Sequence, residues 1–237
     1  MASVPHKNDP CTLVIMAKAP RPGTVKTRLA RNLSELAVTD LYRCLLDDTI
    51  ELANGLEGVD IAMVCPECDV DDLARATSNK IRVVAQNGKG LAAGLTSVFA
   101  HFASARGGRV VAFNSDTPHL PASVLQNAFS LLAECDVVVG PTRDGGYYLV
   151  GATASHPGLF VGDAMGTTSA YEALLGRARA LDLSVGLTDP FYDIDEVADL
   201  GELAAELQRA PGKAPRTAEW LARAKGVALT QPRGGAA

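Results

Sequence analysis

Two rhythms of apolar and polar positions run along the chain. Short, nearly continuous apolar runs recur at Cys11 to Ala17 (CTLVIMA), Val59 to Cys65, Ile81 to Ala85, Arg109 to Phe113, Asp136 to Gly140, Tyr147 to Val150 and Ser184 to Leu187. Runs of this length, bounded by Gly, Pro, Asn or Asp, predict buried strands. Between them the period lengthens to that of a helix. Val38, Leu41, Leu45 and Leu52 share one stripe behind Ser34, a capping residue, and Asn54-Gly55 ends it. Asp71 to Ala76 predicts a short helix. Another follows Gly88-Lys89-Gly90 with Leu91, Leu95, Val98, Phe99 and Phe102 inward. Pro121 suits the first turn of a helix burying Val124, Ala128, Leu131 and Leu132. Thr167 or Thr168 caps one with Tyr171, Leu174, Leu175 and Ala178 inward, and Val197, Leu200, Ala204 and Leu207 face the core of the next. A last short helix holds Trp220 and Leu221.

Strands alternating with helices predict an α/β protein, a single three-layer α/β/α domain whose central sheet is mostly parallel. The expected domain spans residues 11–224, with a disordered N-terminus at 1–10 and a flexible tail at 225–237. No internal repeat or interdomain linker interrupts it.

Composition narrows the class. The 237 residues are 47% hydrophobic and 21% charged, ordinary for a soluble globular chain. The net charge of -5 argues against nucleic acid as a partner. No apolar run reaches the ~18–20 residues that span a bilayer, and Met1 to Pro10 carries no signal-like apolar segment, so the cytoplasm is the expected compartment. The five cysteines read as reduced thiols. Cys65-Pro-Glu-Cys68 is half of a zinc pattern, with no second half elsewhere.

Chemistry gathers where apolar runs end. The run Arg109 to Phe113 turns abruptly polar at Asn114-Ser115-Asp116, and Pro118 and Pro121 prevent its continuation. A carboxylate at the carboxyl end of a buried strand lies where open α/β sheets bind ligands, and it suits a hard cation. After the first run comes a loop carrying Lys18, Arg21, Pro22, Gly23, Lys26 and Arg28. Its four cations suit a polyphosphate, or else form a solvated basic loop. It is no Walker A motif, because Val25 rather than Gly precedes Lys26. Gly88, Gly90 and Gly94 follow GxGxxxG spacing instead of the dinucleotide fingerprint, which argues against a Rossmann oxidoreductase. These glycines admit a base or ribose closely, or make only a tight turn. Asp144-Gly145-Gly146 is a hairpin signal that also leaves room for a small substrate. Asp193 and Asp195 precede a helix, where Asp195 is either a cap or, with Asp116, part of a cation site built from separate segments.

Taken together, five stretches resemble the GT-A-type nucleotide-diphospho-sugar transferase superfamily, in the branch related to 2-phospho-lactate guanylyltransferase and, more distantly, molybdenum cofactor guanylyltransferase. They are Ala17-Lys-Ala-Pro-Arg-Pro-Gly-Thr-Val-Lys-Thr-Arg-Leu29, Gln86-Asn-Gly88, Asn114-Ser-Asp-Thr-Pro118, Gly140-Pro-Thr-Arg-Asp-Gly-Gly-Tyr-Tyr-Leu149 and Tyr192-Asp-Ile-Asp-Glu-Val-Ala-Asp-Leu200. They occur in the family's order over roughly residues 11 to 208. The resemblance implies a GT-A fold and a nucleotide site of Lys18, Pro22, Gly23, Lys26, Arg28, Gln86, Gly88 and Asp116. Lys26 would meet donor phosphates, and Asp116, Asp193 and Asp195 would hold Mg²⁺ or Mn²⁺. Asp144, Gly145, Gly146 and Thr167 would receive a small-molecule acceptor. Two features differ from the family: no aromatic residue precedes Gly166-Thr167, and the guanylyltransferases carry another sequence at Asp144 to Tyr148.

The expected activity is nucleotidyl transfer. An acceptor phosphate would attack a nucleoside triphosphate and release pyrophosphate, with Lys26 and Asp116 as catalytic residues. A glycosyltransferase using a nucleotide sugar is the alternative, and a non-catalytic nucleotide-binding module is the second.

Overall fold

The structure is a computed structural model, and it describes residues 10–78, 80–103, 108–162, 167–210 and 212–224. The expected N-terminal segment apart from Pro10, the expected C-terminal tail and the Met165-Gly166 dipeptide lie outside the described residues. The chain divides into two compact units. One comprises Met1–Ala19, Ala53–Ser115 and Leu120–Asp193; the other comprises Pro20–Leu52, Asp116–His119 and Ile194–Ala237.

The first unit holds a seven-stranded sheet of β1 (Cys11–Met16), β2 (Val59–Cys65), β3 (Arg82–Ala85), β4 (Arg109–Asn114), β5 (Val137–Pro141), β6 (Tyr147–Ala152) and β7 (Val185–Leu187). The order is β3-β2-β1-β4-β6-β5-β7. Every pairing is parallel except those of β6, which runs antiparallel to both β4 and β5. This is the mostly parallel α/β sheet that the apolar runs predict. Central strands β1 and β4 are almost wholly enclosed: Leu13, Val14, Ile15, Val110, Val111 and Phe113 are each 0% exposed. Each such side chain contributes roughly 2 kcal/mol by leaving water. Continuous apolar sequence, rather than alternation, follows from burial on both faces.

Helices α2 (Val70–Ala76), α3 (Gly90–Phe102), α4 (Ala122–Leu131) and α5 (Ala170–Ala180) belong to this unit. Leu95, Val98 and Phe99 of α3 and Leu174 and Ala178 of α5 join Val14, Val64, Val110 and Val150 in one apolar cluster. Gly94 allows α3 to approach closely, since a Cβ there would stand 2.7 Å from Met16 Cε. Three expectations shift in phase. Leu91 is 37% exposed. In α4 the buried residues are Leu125, Ala128, Phe129 and Leu132, while Val124 and Leu131 are only half-buried. Pro121 stands at the N-cap rather than within the helix, and the inward face keeps Ala128 and Leu132 while adding Leu125 and Phe129. Ser169, not Thr167 or Thr168, occupies the N-cap of α5.

The second unit contains most of α1 (Glu35–Asn54), with α6 (Val197–Arg209) and α7 (Pro215–Ala224). Ser34 Oγ accepts the Ala37 N–H at 3.2 Å, the cap its position predicts. Asp48, 3% exposed in mid-α1, accepts the Thr217 N–H at 2.8 Å and the Arg216 N–H at 3.2 Å. A buried carboxylate thus serves the unsatisfied first turn of α7, where the helix dipole also favours negative charge. Among the described residues, no helix is long and apolar enough to cross a membrane.

Candidate active site

Strands β1 and β4 are neighbours at the point where successive crossovers reverse direction along the sheet, the position where doubly wound folds bind ligands. The loops that follow them carry the first basic segment and Asp116.

The loop after β1 begins with two fixed hydrogen bonds. Ala17 N–H meets Val64 O at 3.1 Å, and Ala19 N–H meets the buried carboxylate of Asp69 at 3.0 Å. Lys18 between them is exposed. Beyond, Arg21 to Thr24 form a turn in which the Thr24 N–H and hydroxyl both reach Arg21 O. Pro22 and Gly23 are exposed at its tip. Val25 and Leu29 are buried and pin the chain on either side of Lys26. Lys26 itself adopts φ +44°, a left-handed conformation that costs a non-glycine residue about 1–3 kcal/mol and tends to mark functional positions.

The Lys26 side chain is 5% exposed, and its ammonium lies between two carboxylates. It contacts Asp116 Oδ2 and stands 2.8 Å from Asp195 Oδ1. Arg28 Nη1 reaches Asp195 Oδ2 at 3.1 Å. Burial alone would lower the affinity of Lys26 for its proton; the two carboxylates outweigh it and hold the ammonium above its ordinary range. Burial likewise works against ionisation of Asp195, and Lys26, then Arg28, hold its carboxyl below the usual range. These four residues belong to the second unit and balance to zero net charge.

Asp116 is rigidly placed. Ser115, Thr117, His119 and Leu120 around it are buried. Its Oδ1 is also buried and has no hydrogen-bond partner among the described residues. An uncompensated carboxylate oxygen is costly unless something positive meets it. With Asp195 it fits a hard cation, for Mg²⁺ binds through one or two carboxylates and completes its shell with phosphates and water.

The expected three-carboxylate set is not formed: among the described residues, no three His, Cys, Asp or Glu side chains gather as a metal-binding group. Buried Tyr192 and Ile194 alternate with half-exposed Asp193 and Asp195. Two residues of extended chain advance about 6.6 Å, and Asp195 is already turned to Lys26. Asp195 is not a helix cap either. Glu196 is the N-cap of α6, and the Asp199 carboxylate accepts the N–H groups of Asp195 at 2.9 Å and Glu196 at 2.6 Å.

Elsewhere the structure spends predicted site residues on the chain itself. Gln86 Nε2 donates to Gly88 O at 2.8 Å, and Asn87 N–H reaches Ser97 Oγ at 2.7 Å, which shapes the glycine loop before α3. Gly88 has φ +94°. In the β5–β6 hairpin the Asp144 carboxylate receives the Thr142 hydroxyl and the Gly146 N–H. Gly145 has φ +90°, and a Cβ there would stand 2.0 Å from Thr168 O. At Gly146 it would stand 2.8 Å from Thr142 Oγ1. The space beside these glycines is therefore filled by the chain's own atoms. Thr167 is exposed, its hydroxyl 3.0 Å from Ser169 Oγ.

Two further residues of the quoted motifs, Arg143 and Tyr192, pack on one another. The exposed Arg143 guanidinium lies 5.0 Å from the centre of the Tyr192 ring, and Phe191 stacks on Tyr192 at 5.3 Å. They belong to the two motifs that end at Leu149 and Leu200. A separate cleft of about 530 Å³, lined by Leu33, Ala37, Cys44 and Trp220 among others, includes none of Lys26, Arg28, Asp116 and Asp195.

Solved structures share this architecture. A protein from Desulfovibrio desulfuricans G20, provisionally described as a nucleotide-diphospho-sugar transferase, superposes with TM-score 0.81 at 26% identity, covering 92% of this chain and 96% of its own. A 4-diphosphocytidyl-2C-methyl-D-erythritol synthase from Anaerococcus prevotii gives TM-score 0.59 at 13% identity over 85% and 97% of the two chains. A nucleotidyl transferase from Methanothermobacter thermautotrophicus gives 0.57 at 19% identity over 84% and 98%. The fold is that of the nucleotide-diphospho-sugar transferases. No curated protein matches the chain in sequence. A family model described as an uncharacterized protein conserved in bacteria, DUF2064, matches residues 49–167, and with the strand-end aspartate lying inside that span, the chain belongs to this family.

Proposed function

We propose that the protein is a nucleotidyltransferase dependent on Mg²⁺ or Mn²⁺, joining a nucleoside monophosphate from a triphosphate to a small phosphorylated acceptor. Its structural neighbours make it a nucleotide-using transferase in the broader sense. The observation that carries the narrower reading is the Lys26 ammonium enclosed between Asp116 and Asp195. A reaction between two anionic phosphates needs cationic charge at the attack position and on the leaving group, and little covalent help from side chains.

In this reading an acceptor phosphate oxygen attacks the α-phosphorus. The bond from that phosphorus to the bridging oxygen breaks, and its electron pair leaves with pyrophosphate. Lys26 carries positive charge to the donor phosphates as negative charge accumulates there. Asp116 and Asp195 would hold the divalent cation, which when bound neutralises phosphate charge and orients the oxygens. Arg28, 53% exposed, would keep its hold on Asp195 and add positive charge near the donor phosphates.

Transfer of a sugar from a nucleotide sugar is the second reading, favoured by the description of the Desulfovibrio neighbour. Incubation with each nucleoside triphosphate and each common nucleotide sugar, with MgCl₂ and a panel of phosphorylated acceptors, separates the two. Pyrophosphate released only from a triphosphate, and lost in Asp116→Ala, is the expected result. Nucleoside diphosphate released from a nucleotide sugar would establish the second reading instead.

A further inference from the structure

We propose that Lys26 is a displaceable internal counter-ion: in the donor-free protein its ammonium holds the place between Asp116 and Asp195, and it yields that place when the divalent cation and the donor phosphates arrive. This rests on the cation-dependent reading above and concerns how the site is kept when idle.

The geometry is specific. One oxygen of each carboxylate faces the same Nζ, in a side chain only 5% exposed, and the other Asp116 oxygen is buried with no hydrogen-bond partner among the described residues. Whichever oxygens a divalent cation took from the two carboxylates, it would stand beside that ammonium, because Asp195 Oδ1 faces Lys26, Asp195 Oδ2 is held by Arg28 and Asp116 Oδ1 belongs to the carboxylate that already contacts Lys26. A single and a double positive charge cannot both sit against them, because repulsion at ~4 Å is severe away from bulk water. One of the two must go.

The chain provides for the departure. Lysine carries its charge on a flexible four-carbon stem, so the ammonium can swing while the backbone stays. Val25 and Leu29 anchor that backbone, and Thr24, Thr27 and Arg28 beside it are exposed toward solvent and incoming phosphate. Arg28 holds the second oxygen of Asp195, so this carboxylate keeps a cationic partner while Lys26 leaves. Cation alone therefore competes with a resident ammonium. Polyphosphate alone meets a lysine already engaged. Each relieves the obstacle to the other, and the pair binds with positive coupling.

The experiment compares wild type with Lys26→Met. Mn²⁺ binding is followed by electron paramagnetic resonance, first alone and then with inorganic tripolyphosphate as the probe. Lys26→Met is expected to bind Mn²⁺ alone at least tenfold more tightly than wild type, and tripolyphosphate should erase or reverse that difference. Circular dichroism verifies the fold of the variant. If the variant fails to fold, the wild type answers alone: acylation of the Lys26 amine, mapped by mass spectrometry, should be slow without metal and several-fold faster with saturating Mn²⁺. Equal Mn²⁺ affinity in the two proteins, or an acylation rate indifferent to bound Mn²⁺, overturns the displacement but leaves the cation-dependent reading intact. No Mn²⁺ binding by either protein, even with tripolyphosphate, overturns both.

Discussion

Lys26 Nζ lies 2.8 Å from Asp195 Oδ1, although 169 residues separate the two in sequence. The contact ties the loop after the first strand to the segment leading into α6. It places two charged motifs that are far apart along the chain in one electrostatic unit with Asp116.

Asp195→Asn keeps the shape of the side chain and removes its charge. Turnover with the donor and acceptor pair found by the screen above is expected to fall about 100-fold, the scale of losing one charge-stabilising group. The melting temperature should change little, because α6 is capped by Glu196 and Asp199 instead. Steady-state kinetics with a thermal melt checks both. A wild-type rate would reduce Asp195 to a structural partner of Lys26.

Asp48→Ala removes the acceptor for the first N–H groups of α7. The carboxylate is buried, and its other partner, the Arg216 side chain, is half-exposed and would lose this ion pair as well. A loss of about 2 kcal/mol, at the upper end for capping residues, is expected in urea unfolding. Asp48→Asn retains one acceptor oxygen and should cost less.

Gly145→Ala and Gly158→Ala form a matched pair. Both glycines have φ near +90°, but nothing lies within 4 Å of a Cβ at Gly158, whereas Thr168 O would stand 2.0 Å from one at Gly145. Gly158→Ala should cost only the left-handed backbone, about 1 kcal/mol. Gly145→Ala should cost ~3 kcal/mol or more, and the difference in unfolding free energy reports the packing of the hairpin on Thr168.

His119 sets a pH dependence. It is 0% exposed, and burial, opposed by Glu206 and reinforced by Lys213, lowers its pKa to about 4. In the unfolded chain the value returns to about 6.5. Below pH 6.5 the unfolded state therefore binds a proton that the folded state refuses. The contribution is complete above pH 6.5 and is lost as pH falls toward 4, on the order of 3 kcal/mol in total. His119→Leu should flatten this limb of a stability profile measured between pH 4 and 7.

The strands were readable because burial on both faces writes itself as uninterrupted apolar runs, as in Leu13 to Ile15 and Val110 to Phe113. The helix faces were less so. In α4 the apolar residues Val124, Leu125, Phe129 and Leu131 cluster so closely that the stripe can be drawn two ways, and the core takes Leu125 and Phe129. The motif residues stood where apolar runs stop, so Asp116 and Lys26 could be picked out singly. Their mutual arrangement could not. A basic loop and an acidic turn look like two binding surfaces in sequence, and only tertiary structure reveals that Lys26 and Asp116 satisfy one another. Gly145 is ambiguous in sequence for a related reason. A missing side chain marks close approach, but sequence does not say whether the approaching atom belongs to a ligand or, as here, to Thr168.

The antiparallel strand β6 carries a consequence for redesign. Its ladder with β4 and β5 is held in register from Val110↔Ala152 to Phe113↔Leu149 and from Val137↔Ala152 to Gly140↔Leu149. The hairpin tip at 142–146 projects beyond that ladder, so its exchange leaves the register untouched. The tip is nevertheless not modular by itself. Gly145 is seated against Thr168 O, and its own carbonyl accepts the Tyr171 N–H at 3.1 Å. Exchanging the hairpin tip between homologues thus requires moving 142–146 together with 167–171 and with Phe191, whose carbonyl accepts the Arg143 N–H at 3.1 Å. A graft of the tip alone would import a loop without the wall it was shaped to lean on.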